Sequence, residues 1–132
     1  MLFISSLNAL SYEKSQNIVI DTQHKLMWQD NKAAKEYLET FQSAKVYCEQ
    51  IILNGYIDWR VPTIGEMIKI IDVKNTDPIA KEFQNVQRKT YITNSTFVED
   101  SLLTWGVDFS TGKILTVNKE DMNHIRCVRE IK

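Results

Sequence analysis

The amino-acid sequence predicts an α+β domain in which two helices precede an antiparallel sheet. Two stretches in the first half carry apolar residues at helical spacing, whereas the last third alternates apolar and polar residues between short turns. The chain has 132 residues, of which 43% are hydrophobic and 25% are charged, so it suits one globular domain with its own core. We predict this single domain over residues 17–130.

The first predicted strands lie in NIVIDTQHKLMWQD, on either side of a polar turn over residues 21–25. Ile18 and Ile20 alternate along the first strand, and Leu26 and Trp28 share a face of the second. We expect the N-terminal strand to be free to pair with the C-terminal strand.

The first helix is predicted over TFQSAKVYCEQIILNG. Its apolar stripe recurs every three or four residues and consists of Phe41, Ala44, Cys48, Ile51 and Ile52. Gly55 has the position of a left-handed C-terminal cap. Cys48 is therefore expected on a buried helix face, where it suits a structural bridge better than an exposed nucleophile.

The second helix is predicted to begin within DWRVPTIGEM, after an extended segment. Thr63 and Glu66 have the spacing of a capping box, and Met67 has the place of a hydrophobic staple. Strand alternation places Trp59 on the face opposite to Arg60.

Arg60 has two interpretations. A guanidinium can bind a sulfate or carboxylate ligand through paired donors. Alternatively, Arg60 is partly buried and paired with Asp58 or Glu66, fixing the extended segment to the helix. We favour the structural pair, because a capped helix start beside Trp59 and Pro62 is a packing site and buried charges normally occur in pairs.

A long polar segment, VKNTDPIAKEFQNVQRK, follows the second helix. Pro78 interrupts it, and Phe83 is its expected anchor in the core. The strands predicted after it are YITNST, LLTWGVDF, KILTV and the final HIRCVREI, with STG as a tight turn.

Cys48 and Cys127 are the two cysteines of the chain. Their separation excludes a CxxC redox motif, and two thiols with two scattered histidines cannot form a tetrahedral zinc site, so we predict no metal. An even count suggests one disulfide if the chain is exported to an oxidising compartment. The alternative is two buried free thiols. We favour the bridge.

The start of the chain, MLFISSLNALS, is apolar and ends in small residues. Ala9 and Ser11 have the spacing of a cleavage site, as in the second half of a secretory signal peptide, although the usual basic residues are missing. The alternatives are an N-terminal strand or a tail. We favour a signal-peptide remnant over residues 1–11, and hence export to the periplasm or cell surface.

The overall charge argues against binding to nucleic acid, and the hydropathy argues against a transmembrane span. The chain has 16 basic and 17 acidic residues, a net charge of −1, and so offers no electrostatic basis for binding nucleic acid. It contains no apolar run of about eighteen residues, so no transmembrane span is expected.

Candidate ligand-binding residues are Trp105, Glu99 and Asp100. A tryptophan can stack on a sugar ring, but Trp28, Trp59 and Trp105 all have contexts that favour the core, and Trp105 has the weakest case for burial. Glu99 and Asp100 could offer oxygens to calcium, although an acidic doublet in a turn is more commonly solvated charge.

Five segments of the sequence, taken in order, resemble the Lcl C-terminal-domain family. They are VIDTQHKLMWQD, AKVYCEQIILNGYIDWRVPTIGEMIKIID, YITNST, LTWGVDFSTGK and IRCVRE. The most specific combination is a helical cysteine, then G-x-x-D-W-R-x-P-T-x-x-E, then a terminal R-C-V-R. The family occurs in exported bacterial proteins, including a collagen-like adhesin that is associated with sulfated polysaccharides and cell attachment.

The resemblance implies a C-type-lectin-like fold in which the chain ends pair and a long loop region carries the binding surface. It also implies that Cys48 and Cys127 correspond to the family's paired cysteines. The sequence lacks the E-P-N, Q-P-D and W-N-D motifs of calcium-dependent lectins, so a calcium cofactor is not supported. It also lacks the adhesin's collagen-like repeats, so the oligomeric state is left open.

The expected function is an exported, non-enzymatic binding or adhesion module that recognises glycan or another envelope component through the loops between residues 73 and 103. The alternative is a structural or assembly component of an envelope complex that binds protein. An enzyme is disfavoured, because the formylglycine-generating relatives of the implied fold need active-site cysteines and both cysteines here are expected in a bridge.

Overall fold

The computed structural model describes residues 12–132, and the predicted signal-peptide remnant over residues 1–11 lies outside the described residues. The α+β class is confirmed, with three short helices and nine strands within residues 12–132. The helices are α1 (Lys32–Glu36), α2 (Phe41–Gln50) and α3 (Ile64–Lys69). The strands are β1 (Tyr12–Ser15), β2 (Ile18–Asp21), β3 (Leu26–Gln29), β4 (Leu38–Glu39), β5 (Thr90–Thr96), β6 (Leu103–Asp108), β7 (Lys113–Asn118), β8 (Asn123–His124) and β9 (Val128–Glu130).

The first sheet has four antiparallel strands in the order β1-β2-β3-β9. Strands β2 and β3 flank the polar turn that the sequence predicts, and β3 pairs with β9 through Trp28 and Val128. The predicted pairing of the N-terminal and C-terminal parts of the domain is therefore confirmed.

The second sheet has five strands in the order β4-β8-β5-β6-β7. Strands β5, β6 and β7 form the predicted antiparallel meander. The expectation of a wholly antiparallel sheet is wrong at β8, which lies parallel to β5 through the pair Tyr91 and His124. The single strand predicted over HIRCVREI is in fact divided between the two sheets, because residues 125–127 separate β8 in the second sheet from β9 in the first.

Helix α2 is shorter than the sequence predicts. It ends at Gln50, and Ile51 is extended with its N–H bonded to the Tyr47 carbonyl. Ile52 is 73% exposed and does not belong to the buried stripe. Gly55 does have a positive φ of 82°, but it forms a tight turn with Asn54 and does not cap the helix. An Asn-Gly pair favours a two-residue hairpin turn, and here this turn displaces the last predicted helical turn.

Helix α1 is a single turn that the prediction of two helices omits. Asn31 caps its first turn by accepting from the Ala34 N–H at 3.2 Å. Five residues are too few to display an apolar stripe, so hydropathy periodicity cannot reveal such a helix.

Two buried clusters form the core. One joins β2, β3, α3 and the long segment to the second sheet, and its largest members are Trp28, Met67, Tyr91, Phe83 and Phe109. The other surrounds the Cys48–Cys127 disulfide, whose Cα atoms are 5.6 Å apart, and includes Trp59, Ile92 and Ile125. The predicted bridge is confirmed, and it ties α2 to the segment between β8 and β9.

Candidate functional site

Arg60 forms the structural pair that the sequence favours. Its Nη1 and Nη2 donate to Oε1 and Oε2 of Glu66 at 2.8 and 2.7 Å. Glu66 also accepts from the Thr63 N–H at 2.9 Å, which completes the predicted capping box of α3. Burial alone would raise the pKa of the Glu66 carboxyl, but bonds from Arg60 and Thr63 outweigh it and lower that pKa.

Asp58, the other partner considered for Arg60, pairs elsewhere. Its Oδ1 accepts from Nε of Arg129 at 2.6 Å, and this bond is the main reason that the Asp58 pKa is lowered to about 2. The Arg129 guanidinium also lies 4.0 Å from the ring centroid of Tyr56. The guanidinium of Arg129 is thus engaged by Asp58 and Tyr56, and it has a structural role.

The most deeply buried charges belong to Arg126 and Asp30. Arg126 Nη1 donates to Oδ1 of Asp30 at 3.2 Å and to the Gln29 carbonyl at 2.6 Å, while Nη2 donates to the Asn85 carbonyl at 2.6 Å. Lys14 adds a second ion pair to Asp30. Burial would raise the pKa of Asp30, but Arg126, Lys14 and backbone N–H groups together lower it.

The Asp30 carboxylate also fixes the long segment between α3 and β5. It accepts from the backbone N–H groups of Gln84 and Asn85 at 3.0 and 2.9 Å. Ile79 and Phe83 of the same segment are buried in the core, as the sequence predicts for Phe83. Much of the loop region from 73 to 103 is therefore a fixed part of the scaffold, which restricts where a ligand can bind.

The turn between β5 and β6 is the part of that region that projects outward. We call it the hairpin-tip surface, and it consists of Asn94, Thr96, Phe97, Val98, Glu99, Asp100, Leu102 and Trp105. The rings of Phe97 and Trp105 meet edge to face, with centroids 5.2 Å apart. Val98 is 96% exposed beside them, and Leu102 is 64% exposed.

The structure separates the three tryptophans. Trp28 and Trp59 are buried in the two core clusters, and Nε1 of Trp59 donates to the Tyr56 carbonyl at 3.0 Å. Trp105 is half-buried and is the one tryptophan within residues 12–132 that lies outside the two core clusters.

The acidic doublet lies at the end of the hairpin. Glu99 and Asp100 are both exposed, and Oδ1 of Asp100 accepts from the Leu102 N–H at 3.0 Å, which stabilises the turn. Residues 12–132 contain no group of three or more His, Cys, Asp or Glu side chains arranged to hold a metal ion. Within the hairpin-tip surface, Asp100 stabilises the turn and Glu99 is exposed to solvent.

The hairpin-tip surface continues onto the start of α2 through Lys119. The Lys119 N–H donates to the Leu102 carbonyl at 2.9 Å, and its carbonyl accepts from Phe41 at 3.0 Å. The Phe41 ring lies 4.4 Å from Nζ of Lys119 and 4.9 Å from Nζ of Lys45. The sequence prediction assigned Phe41 to the core; the Lys at i+4 was the signal that could have indicated a cation beside its ring.

None of the helices within residues 12–132 has the length and apolar composition needed to cross a bilayer.

Two comparisons with known proteins bear on the family of the chain. The family model described as the Lcl C-terminal domain matches residues 17–129, which include both cysteines and the Arg60–Glu66 capping motif. No curated protein matches the chain.

Proposed function

Because the chain belongs to the Lcl C-terminal domain family, we propose that it is an exported, non-enzymatic binding or adhesion module for glycan or another envelope component. The proposed contact region is the hairpin-tip surface. The observation that carries this proposal is the half-exposed Trp105, held edge to face by Phe97 beside the almost fully exposed Val98.

The chemistry of this surface suits a sugar ring. An aromatic ring with one accessible face can pack on the apolar C–H face of a sugar, and the Phe97 contact orients Trp105 for that packing. Asn94 is exposed in the irregular stretch of β5 across from Trp105 and offers an amide for hydrogen bonds, whereas Thr96 pairs with Thr104 and lies on the other face of the sheet. Isolated exposed apolar residues are ordinary, whereas Val98 and Leu102 cluster with an aromatic pair at one hairpin end.

We propose further that the module is not an enzyme and needs no cofactor. Both cysteines are joined in the bridge, so residues 12–132 offer no free thiol as a nucleophile. The charged groups Asp30, Arg126, Asp58 and Arg129 are engaged in structural pairs. We therefore assign binding to hydrogen bonds and ring packing, without calcium.

Export is supported by the disulfide and by the family. A bridge between two buried cysteines forms and persists in an oxidising compartment, such as the periplasm or the cell surface. Both observations are compatible with an exported protein.

The experiment compares a glycan array with affinity capture from envelope extract, using the wild type and three variants. Trp105→Ala and Val98→Ser alter the hairpin-tip surface, and Ile57→Ser is the matched control, because Ile57 is 68% exposed but lies outside that surface. We expect specific glycan retention that Trp105→Ala reduces about tenfold, as for loss of one ring stacked on a ligand. Retention equal in all variants would contradict this location.

The alternative is a structural or assembly component that binds protein. It is favoured by further exposed apolar side chains outside the hairpin tip, notably Ile52, Ile57 and Val73. A stoichiometric protein partner in the extract, lost with Ile57→Ser and accompanied by an empty glycan array, would support this alternative.

A further inference from the structure

A small cleft lies where β8 enters the second sheet between β4 and β5. We call it the His124 cleft; its volume is about 280 Å³, and its lining consists of Leu38, Lys89, Thr90, Met122, Asn123 and His124. His124 is opposite Leu38 on one side and Tyr91 on the other. The cleft shares no residue with the hairpin-tip surface and is independent of the proposed function.

His124 contributes a buried ring to the lining of this cleft. The residue is only 7% exposed, its ring lies against that of Tyr91 with centroids 5.2 Å apart, and its Nδ1 has no hydrogen-bond partner within residues 12–132. Burial, and then the charge of Lys89, lower the pKa of the His124 imidazole and outweigh a hydrogen bond with the Tyr37 backbone that would raise it. The Nδ1 atom is closed to solvent, so His124 offers the cleft an uncharged ring surface and leaves the hydrogen bonding to other residues of the lining.

Lys89 is the charged group of the lining. Its side chain is exposed and takes part in none of the ion pairs found within the described part of the chain. Asp108 is near enough for the Lys89 charge to contribute to its lowered pKa, but hydrogen bonds from Ser110 are the main cause. With one lysine and no acidic side chain in its lining, the cleft favours an anion over a cation.

The lip of the cleft is apolar. Leu38 and Met122 are 46% and 57% exposed, and both line the opening. The volume is close to the lower end of ligand cavities, about 300 Å³, so it suits a group of amino-acid size.

We propose that the His124 cleft binds an organic carboxylate that carries an apolar group, as the C-terminal residue of a peptide or an acylated amino acid does. The Lys89 ammonium pairs with the carboxylate through a charge-assisted hydrogen bond. The Thr90 hydroxyl and the Asn123 amide of the lining supply further hydrogen bonds. The apolar group packs against the lip.

The test is an NMR titration of the isotope-labelled protein with N-acetylleucine and with N-acetylleucinamide, which differ in the charge of one group. We expect amide shifts at Thr90, Asn123 and His124 with the acid, and binding about tenfold weaker with the uncharged amide. Lys89→Gln should weaken binding of the acid by a similar factor. Lys113→Gln, which changes an exposed lysine outside the cleft, should leave it unchanged.

A second pair of probes distinguishes the two sources of the carboxylate. A tripeptide that ends in leucine is titrated with its C-terminus free and with its C-terminus amidated. Tighter binding of the free tripeptide than of N-acetylleucine would assign the cleft to a polypeptide end, and equal binding would assign it to a small acid.

Three results would overturn the proposal. These are equal binding of acid and amide, no effect of Lys89→Gln on the affinity for the acid, and the absence of shifts in the cleft at saturating probe. Shifts centred on Phe41 and Lys119 would place the carboxylate at the other lysine-lined surface and would equally overturn it.

Discussion

The Arg126 guanidinium and the Asp30 carboxylate lie 3.2 Å apart with both side chains fully buried. The rings of Phe83 and Tyr91 flank the guanidinium, with centroids 4.8 and 5.4 Å from its central carbon. A buried pair of this kind adds little over an apolar substitute, but the loss of one member leaves the other charge in an apolar surrounding. The position of the long segment between α3 and β5 therefore depends on one carboxylate, that of Asp30.

We predict that Asp30→Asn lowers the free energy of unfolding by about 3–5 kcal/mol, because it strands the Arg126 charge. Chemical denaturation measures the change. Asp77→Asn is the matched control, since Asp77 pairs with Arg88 at 2.9 Å but both are about half exposed, and exposed pairs contribute about 0–1 kcal/mol. Similar losses in the two variants would contradict a special role for the buried pair.

Removal of the disulfide by the double change Cys48→Ala and Cys127→Ala should cost about 4 kcal/mol. The bridge closes a loop with a sequence separation of 79, and the chain-entropy model gives a cost of this size for such a loop. Thermal and chemical unfolding of the double variant measure the loss. A change below about 1 kcal/mol would show that the denatured chain gains little freedom when the bridge is absent.

The burial of His124 predicts a stability that depends on pH near neutrality. Its pKa is lowered in the folded protein, so the unfolded chain binds the proton more tightly. The contribution of His124 is therefore complete above the unfolded pKa of about 6.5 and is lost as the pH falls toward the folded value. Denaturation at a series of pH values should show this decrease, and His124→Gln should flatten it. An unchanged slope in the variant would assign it to another group.

Glu66 predicts a second, more acidic transition. Its pKa is lowered in the fold, so its contribution is present above the unfolded pKa of about 4.3 and is lost as the pH falls through the folded value. Glu66→Gln should cost about 1–2 kcal/mol at pH 7, the range expected for loss of a helix cap, and should weaken the acid dependence. Arg60→Lys keeps the charge but not the paired donors, and should lose part of the same stability.

Two glycines should respond to alanine in opposite directions. A Cβ at Gly106 would lie 3.0 Å from the Tyr91 carbonyl oxygen and 3.2 Å from Cγ2 of Thr90, so Gly106→Ala should cost about 1–3 kcal/mol. A Cβ at Gly65 in α3 meets nothing closer than the Thr63 hydroxyl at 3.9 Å. Gly65→Ala should therefore stabilise by up to about 1 kcal/mol. Melting temperatures that shift in the same direction would contradict this account.

The features that the sequence predicted correctly are set by short-range patterns. The capping box needs only Thr63 and Glu66 three residues apart, and its carboxylate then lies within reach of Arg60. The strands around turn 21–25 follow from alternation. The predicted C-terminal end of α2 is wrong because two local signals compete there. Gly55 could cap a helix, but it follows Asn54, and this pair forms a hairpin turn instead.

The features that the sequence did not predict depend on contacts between distant residues. Asp30 and Arg126 are 96 residues apart, and Asp58 and Arg129 are 71 apart. Periodicity identifies which face a residue occupies but not which distant charge it meets. The half-exposure of Trp105 is of the same kind, because it depends on which elements cover the second sheet.

The residues that complete the core lie together near the C-terminal side of the domain. Arg126 pairs with Asp30, and Cys127 completes the disulfide. Arg129 pairs with Asp58 and lies in β9, the last strand of the first sheet. During synthesis these residues emerge after residues 12–123, so until they arrive the nascent chain lacks the Arg126 partner of Asp30 and the last strand of the first sheet. Such long-range dependence slows the formation of native structure, because the ends of a long loop must meet before these contacts can form.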